Sequence, residues 1–483
     1  MERGNGIQGG TAPAVSVATG SGRPSGGVIA SYFKFAERGT SLATEARAGL
    51  TTFMVMAYII FLNPLILMGG FEASGNAAFN AVALSAGTAL VAGIMTIAMG
   101  VVGNFPLALA AGLGINGIVA FSLTSRGLSP QGAMGVILLE GIAVTILVLV
   151  GLREAVMNAV PLALKRAIGV GIGLFILFIG FANGGFVRGN APATPTTFHL
   201  PTTAADFVFW IGLILTVVLW VRKVKAALVI SILLTTVIAL VAGVAKLPAA
   251  ADLVLTPSFT TLGQVAPFEI FSLPNLSLLA AILIIFSIML TDFFDTMGTV
   301  TGVATEAGLA NKDGSVPGAG RILLVDSIAA AAGGLAGVSS NTTYIESAAG
   351  VAEGGRTGFS SVVTGILFLL AILLAPIAGI IPGVATAPAL VLVGYLMFTQ
   401  VKDINVTDVE DGIPALLTMI LMPLTYDIAL GIGAGFVSWV LIKVVRGKAS
   451  QVHPLMWLAS ILFLVFFLQD WIIAFGQAPL PAA

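Results

Sequence analysis

The sequence predicts an all-α polytopic membrane protein in which fourteen transmembrane segments form two inverted repeats of seven. Hydrophobic residues make up 58% of its 483 residues and charged residues only 9%, against about 25% charged in a typical soluble domain. Because water cannot solvate so apolar a surface, the lipid bilayer must be the solvent. The stretches predicted to span it are 48–68, 79–102, 106–123, 131–151, 157–181, 206–222, 226–246, 275–304, 321–337, 341–355, 358–381, 386–400, 411–425 and 427–446.

Basic residues are distributed unevenly over the loops between these spans. If the N-terminus is cytoplasmic, 18 of the 21 Lys and Arg residues lie on the inner side, and only Arg126, Arg188 and Lys246 lie outside. Such an excess of positive charge marks the cytoplasmic face. We therefore expect a plasma or inner membrane protein with a cytoplasmic N-terminus and an even number of spans through residue 446. The apolar stretch 454–475 then either adds a span or lies along the cytoplasmic interface.

Composition narrows the function classes. Cysteine is absent, which excludes disulfides and thiolate chemistry. The only histidines, His199 and His453, lie in loops or flanks, which argues against a metal site. A net charge of −1 provides no basic field for nucleic acid. We expect no cofactor and no enzyme activity, and we interpret residues 1–40 as a disordered cytoplasmic tail.

The repeat boundary falls near the loop 247–274. Seven spans per half force the second half to insert upside down, a common transporter architecture. Span three contains FPLALAAGLGINGIVAFSLT and span ten GVSSNTTYIESAAGVAEGG, and both are too irregular for plain lipid-facing helices. We predict an extended stretch and a half-helix in each, with the helix N-termini facing a small polar ligand.

Two aspartates lie within the eighth predicted span. Asp292 and Asp295 are three positions apart, so they project from neighbouring positions on one helix face. A charge at membrane depth costs at least about 2.5–3.5 kcal/mol and therefore indicates a function. We predict that Asp292 binds ligand, that both aspartates are candidates for proton coupling, and that Thr296 contacts the ligand. The alternative is that an aspartate here caps a helix break.

Span ten begins with a polar cluster that runs from Asn341 to Ser347. Glu346 would lie in a first helical turn, where the dipole favours negative charge, and that stabilisation is one explanation for it. Its depth in an apolar bundle favours ligand binding or proton coupling instead. Tyr344 offers a flat apolar face and a hydroxyl that suit an aromatic ring. Thr343 is a further predicted ligand contact.

Span three provides the matching position in the first repeat. Asn116, at the start of the predicted half-helix, carries an amide with two donors and an acceptor, which fits the polar edge of a planar ligand. Gly114 and Ile115 beside it are predicted to contact the same ligand.

Other polar residues within the spans are interpreted as structural. Glu140 in span four is predicted to bond another helix or to stay protonated, and Asp326 in span nine to bond neighbouring helices, rather than to bind a ligand. In span one, Pro64 frees a backbone carbonyl, and Asn63 can bond across helices. Asn63 and Pro64 would form a hinge, one side of a ligand-binding site or a simple helix kink.

Three of these segments resemble a known family. TTFMVMAYIIFLNP in span one, DFFDTMGTVTGVATEAGL in span eight and NTTYIESAAGVAEGGRTG in span ten resemble the AzgA-like adenine–guanine–hypoxanthine permeases of the nucleobase–cation symporter superfamily. MPLTYDIALGIGAGF near 422–436 fits as well, and the resemblance covers residues 32 to 460. Where the family pattern leads us to expect Pro and a larger residue, this chain has Ala111 and Gly117.

The resemblance implies a division into a core and a gate domain, with the essential family positions at Asp292, Glu346 and Asn116. It also implies proton-coupled purine uptake by an elevator-like movement of the core, in a membrane-embedded protein that is often a dimer. The implied parts are 41–151 (core, first part), 152–250 (gate, first part), 275–383 (core, second part), 384–446 (gate, second part) and 447–483 (a C-terminal apolar segment).

Together these features predict a permease in which a neutral purine lies between the two half-helices. Asp292 and Glu346 would accept hydrogen bonds from its N–H groups, and protonation of a carboxyl would link binding to the proton gradient. The main alternative is a sulfate-type anion exchanger on a related fold, since helix N-termini also suit anions. A channel or uniporter is a second alternative.

Overall fold

The computed structural model describes residues 27–151, 159–190, 194–245, 256–274, 276–311 and 316–477, so most of the predicted tail 1–40 lies outside the described residues. The described chain is mostly α-helical. The helices are α1 (Val28–Tyr32), α2 (Leu42–Met56), α3 (Ile59–Phe71), α4 (Ala81–Ala98), α5 (Leu113–Gly117), α6 (Pro130–Leu149), α7 (Leu162–Asn183), α8 (Ala204–Val221), α9 (Ala227–Val241), α10 (Leu278–Glu306), α11 (Ala319–Leu335), α12 (Ser347–Ala352), α13 (Gly358–Ala371), α14 (Ala375–Ala378), α15 (Gly383–Phe398), α16 (Val409–Thr425), α17 (Ile428–Val445) and α18 (Pro454–Gln477).

Four short strands accompany the helices. β1 (Leu109–Ala111) pairs antiparallel with β4 (Asn341–Thr343), and β2 (Val187–Asn190) pairs antiparallel with β3 (Thr194–Phe198). The second pair lies between α7 and α8, outside the longer helices. The first pair joins segments more than two hundred residues apart in sequence, so it links the two halves of the chain.

Nine helical segments in the described part of the chain are long and apolar enough to cross a membrane. Shorter apolar helices occur at Leu113–Leu123, Ala227–Val241 and Pro454–Leu468. Spans of this length and composition make the chain an integral membrane protein. The count of fourteen stays a prediction, because several of the predicted spans are short or broken helices in the structure.

The first predicted span, 48–68, consists of two helices rather than one. α2 begins after Ser41, whose hydroxyl accepts a hydrogen bond from the Thr44 N–H, and it ends at Met56; α3 begins three residues later. The Asn63 amide donates to Thr88 Oγ1 at 2.7 Å and to the Val338 carbonyl, after α11, at 3.1 Å. Asn63 therefore bonds across helices, which was one of its interpretations.

Equivalent elements of the two repeats meet in antiparallel pairs. The span-three strand pairs with the span-ten strand, and α7 packs against α15, the fifth and twelfth predicted spans. A Cβ on Gly173 would approach the Gly394 carbonyl to 2.9 Å, and one on Gly180 would approach the Ala387 carbonyl to 3.0 Å. Small residues permit this close backbone approach in membranes. Contacts between equivalent, oppositely directed elements are what an inverted repeat predicts.

The C-terminal apolar stretch, predicted at 454–475, forms α18 and packs against α17. Phe463 is fully buried, and its ring meets the Phe436 ring edge-on at 6.0 Å. A Cβ on Gly433 would lie 2.4 Å from the Phe463 ring. This helix is thus packed against the bundle by its apolar face, and its position along or across the membrane stays a prediction.

Candidate ligand-binding site

The site is built around the β1–β4 pair, whose six residues are all buried. Beyond the paired residues, the Gly112 N–H donates to the Ser340 carbonyl at 2.8 Å. At the other end, the Tyr344 N–H donates to the Ala108 carbonyl at 2.9 Å. Extended backbone inside an apolar bundle needs such partners, because lipid offers none. The two irregular segments of the sequence therefore stabilise each other, and each leads directly into a short helix, α5 or α12.

Glu346 lies at the turn between β4 and α12, and it is partly exposed. Its carboxylate accepts a hydrogen bond of 2.7 Å from the hydroxyl of Tyr58, a fully buried residue at the break between α2 and α3. Tyr344 is buried and donates its hydroxyl to the Ala111 carbonyl. Asp295 is the acidic residue close enough to interact electrostatically with Glu346. A carboxylate that accepts from one tyrosine hydroxyl keeps further lone pairs that can accept hydrogen bonds.

Asp292 and Asp295 have different environments, although both belong to α10. Asp295 is exposed, whereas Asp292 is fully buried, and neither oxygen of Asp292 has a partner at hydrogen-bonding distance. Thr342 is its polar neighbour, and Glu140, Asp326 and Asp295 act on it electrostatically. Of the two aspartates that the sequence places on one helix face, Asp295 is thus exposed and Asp292 is buried.

Asp326 of α11 organises the polar residues around β4. Its carboxylate accepts hydrogen bonds from the Thr296 hydroxyl at 2.7 Å and from the Thr343 N–H at 3.1 Å. The hydroxyls of Thr296 and Thr342 lie 2.7 Å apart. The predicted structural role of Asp326 agrees with these contacts. Thr296, predicted to contact ligand, has its hydroxyl engaged in this network, whereas the Thr343 hydroxyl is buried without a hydrogen-bond partner.

The residues predicted from span three all lie in α5, directly after β1. Asn116 is fully buried, and neither its amide oxygen nor its amide nitrogen has a hydrogen-bond partner. Ile115 is buried, and a Cβ on Gly114 would lie 2.5 Å from the Ile172 side chain of α7. A Cβ on Gly117 would come within 2.9 Å of Phe175. Gly114 therefore permits close helix packing, while the amide of Asn116 is buried without a hydrogen-bond partner.

Sequence reasoning missed two residues that the structure brings to this region. Tyr58 belongs to the span-one string, but nothing in a hydrophobic run reveals that its hydroxyl meets Glu346. Glu45 is fully buried and accepts hydrogen bonds from the backbone N–H groups of Arg356, Thr357 and Ser360, at 2.7 to 3.3 Å. An acidic residue in the first turn of α2 is an ordinary helix feature, so its long-range partners carry no sequence signal.

Two further contacts and a small cavity join segments that the resemblance assigns to different domains. Arg126, after span three, forms an ion pair with Asp427, which caps α17. Lys165 of α7 lies 5.5 Å from the centre of the Phe294 ring of α10. Near the first contact, a cavity with about 10 Å³ of space for water is lined by residues of α10, α17 and the segment after α5. That space fits about one water molecule and no larger ligand.

A buried strand pair between broken helices, with unpaired polar side chains beside it in a membrane bundle, is typical of a membrane transporter. The sequence comparison agrees and is more specific. The chain matches the permease family over residues 44–434 and belongs to it. Within that family it is an AzgA-like nucleobase permease.

Two members of this family are similar to this chain over nearly their whole length. The guanine/hypoxanthine permease PbuG of Bacillus subtilis is 39% identical over 446 residues, with 90% of this chain and 99% of that protein covered. The adenine permease AdeP of Escherichia coli is 36% identical, with 91% of this chain and 96% of that protein covered. The expected family is confirmed, and the chain is a transporter rather than an enzyme.

Solved structures show the fold. The transmembrane domain of the cyanobacterial bicarbonate transporter BicA superposes with a TM-score of 0.57 at 15% identity, covering 82% of this chain and 97% of that domain. The murine anion transporter Solute Carrier 26 family member A9, in its inward-facing state, superposes with a TM-score of 0.59 at 11% identity, covering 84% of this chain and 69% of that protein. The chain therefore shares the fold of these two transporters, while the number of its spans stays a prediction.

Proposed function

We propose that this chain imports purine nucleobases (hypoxanthine, guanine and adenine) by proton symport across the cell membrane, with its N-terminus in the cytoplasm. The observation that carries the proposal is Glu346, a partly exposed residue beside the buried strand pair whose carboxylate accepts a hydrogen bond from Tyr58. The names of the relatives PbuG and AdeP support purines as the substrate class.

The chemistry of the site suits a neutral planar base. Glu346 accepts from ring N–H or amino groups, and the free amide of Asn116 both donates and accepts. Tyr344 adds an aromatic surface beside Glu346. A ligand without matching polar edges would leave these buried groups unpaired, which costs about 1–3 kcal/mol each and provides selectivity.

The acidic residues supply the coupling. Asp292, Asp295 and Glu346 are the candidates to take up a proton together with the base and release it inside. The same carboxyls disfavour an anionic substrate, because they would repel it unless protonated. This argument separates the chain from the anion transporters that share its fold.

Transport by an elevator-like movement needs contacts between core and gate that can break and re-form. The core consists of 41–151 with 275–383 and the gate of 152–250 with 384–446. The Arg126–Asp427 ion pair, the Lys165–Phe294 contact and the packing of Gly114 on α7 all cross this division. We propose that the core slides past the gate and exchanges these contacts, and that the gate forms a homodimer.

The test is uptake of labelled hypoxanthine, guanine and adenine by a purine-transport-deficient cell that expresses the chain, with and without a protonophore. We expect accumulation of at least one base above its external concentration and loss of that accumulation with the protonophore. Labelled sulfate is the matched control substrate. Sulfate uptake without base uptake would establish the anion transporter instead, and base flux that never exceeds the external level would establish a uniporter.

A further inference from the structure

A second unpaired carboxyl lies on α6, and its electrostatic neighbours are Asp326 and Asp292 of the candidate site. Glu140 of α6 is fully buried, and neither of its carboxylate oxygens has a hydrogen-bond partner. A Cβ on its neighbour Gly141 would lie 2.3 Å from the Ala331 nitrogen of α11, so α6 and α11 touch backbone to backbone here. This packing fixes the depth of Glu140 inside the bundle. A residue that bonds neighbouring helices would have a partner, so the structural role favoured by the sequence lacks its contact.

The charged neighbours of Glu140 are acids. Asp326 interacts with it electrostatically, and Glu140 in turn acts on Asp292. Asp295, on the same helix as Asp292, interacts electrostatically with it and also with Glu346. Glu269, which packs against the start of α6, is engaged with the Ser129 N–H and hydroxyl instead.

These acids differ in how their charge is stabilised. Asp326 receives hydrogen bonds from the Thr296 hydroxyl and the Thr343 N–H, which suit an ionised carboxylate. Within the part of the chain that the structure describes, neither oxygen of Glu140 has a hydrogen-bond partner, and Asp292 has only the Thr342 hydroxyl as a polar neighbour. Two unpaired carboxylates cannot both be charged in a low-dielectric interior beside a third negative group. A proton is the smallest ligand that removes this repulsion, and it needs no cavity.

We propose that Glu140 is a proton-coupling residue that shares its proton with Asp292 during transport. The inference rests on the proposed proton symport and names the group that completes the proton site. Glu346 and Asp295, which are more exposed than Glu140 and Asp292, are then left to the base. The β4 segment, which precedes Glu346, is held to Asp326 by the Thr343 N–H, so it connects the two pairs of acids.

The decisive variant is Glu140→Gln, which keeps the size and polarity of the side chain but cannot ionise. Without the negative charge of Glu140, ionised Asp292 is less disfavoured. The pH of half-maximal hypoxanthine uptake is then expected to move toward acid by about one unit, as for the loss of a neighbouring like charge. Accumulation at neutral pH falls toward the level seen with protonophore, while uptake at acidic pH is retained. Glu140→Asp restores the wild-type midpoint, and Glu306→Gln, at the exposed end of α10, leaves it unchanged.

A purely structural role for Glu140 predicts a different result, in which expression and maximal uptake fall at every pH with no shift of the midpoint. That outcome would overturn the inference and leave the proposed function standing. Wild-type uptake that depends on the sodium concentration and not on pH would overturn the inference, together with the proposed proton symport. If the wild-type protein takes up no purine, the proposed function itself is wrong.

A second measurement avoids dependence on a variant that fails to fold. A membrane-permeant carbodiimide modifies protonated carboxyls in apolar surroundings, and mass spectrometry locates the modified residue. In wild-type protein we expect labelling of Glu140 that declines as pH rises, with the same midpoint as uptake. Absence of labelling at every pH, or labelling independent of pH, would count against a proton site at Glu140.

Discussion

The two halves of the binding region share a backbone design and differ in side-chain chemistry. In span three, β1 and α5 carry Leu, Ala and Gly, with Asn116 as the single polar side chain from residue 109 to 117. In span ten, the stretch from Asn341 to Ser347 contains one apolar aliphatic residue, Ile345. Both stretches form a three-residue strand followed by a short helix.

The difference shows that repeat symmetry fixes the backbone and leaves the chemistry to each copy. The strand pair needs both halves equally, because each provides hydrogen-bond partners for the other. The first half provides close packing against α7 through Gly114. The second half provides the carboxylate, through Glu346. Substitutions in the two halves should therefore fail in different ways.

The largest effect is expected from Glu346→Gln. The substitution keeps the contact with Tyr58 but removes the charge that accepts from the base, and losing a charge-assisted hydrogen bond costs about 1.5–3 kcal/mol, or about 10- to 100-fold in affinity. Binding of labelled hypoxanthine to purified protein measures this loss, with Glu306→Gln as the control. Wild-type affinity in the Glu346 variant would show that the polar half does not hold the base.

Gly114→Ala tests the packing role of the apolar half. The added methyl would lie 2.5 Å from Ile172, and overpacking of this kind costs about 1–3 kcal/mol. Because the contact crosses the proposed core–gate division, we expect a lower uptake rate, by about 5- to 50-fold, with base affinity largely retained. Gly383→Ala is the matched control, since its Cβ would meet nothing within 4 Å. Equal effects of the two substitutions would contradict the packing argument.

Asn116→Ala should have a smaller effect that appears in affinity rather than rate. Its unpaired amide is proposed to bond the base, and a neutral hydrogen bond contributes about 0.5–1.5 kcal/mol, or about 2- to 10-fold in Kd. Competition of unlabelled adenine, guanine and hypoxanthine against labelled hypoxanthine would show which base loses most. Asn183→Ala, at the exposed end of α7, is the control. An unchanged Kd for all three bases would contradict a hydrogen bond from Asn116 and would show that this half contributes only packing.

Glu410→Gln provides a reference outside the strand pair. Hydrogen bonds from Lys443 and then Lys448 lower the pKa of Glu410, at the start of α16, to about 2. A depressed carboxyl pKa contributes stability that is present above the ordinary value of about 4.3 and is lost as pH falls through about 2. Between pH 5 and 8 the group does not titrate. The variant should therefore lower Tm by on the order of 1–3 °C at both pH values and leave the pH midpoint of uptake unchanged.

Much of the molecule follows from local features of the chain. The membrane class and most helix positions were predicted because apolar stretches of about 20 residues need no tertiary information to be recognised. The extended stretches of spans three and ten were also predicted, since Gly-rich and Ser/Thr/Asn-rich segments are unsuited to lipid-facing helices. The break at residues 57–58 was not predicted, because it lies in an uninterrupted apolar run.

The environments of the acidic side chains were not predicted from the sequence. Asp292 and Asp295 look equivalent in sequence, yet one is buried and unpaired and the other is exposed. Glu140 has no charged residue near it along the chain, and its acidic neighbours belong to other helices. Tyr58 meets a carboxylate 288 positions away.

By itself the sequence determined that the chain spans a membrane, that two of its predicted spans are irregular and that acidic residues lie within predicted spans. Each of these depends on composition over a short window. Only the tertiary structure decided which acids share an environment and which of them have partners. Hydrogen bonds and electrostatic interactions act over a few ångströms between helices that are far apart in sequence, so no local pattern encodes them.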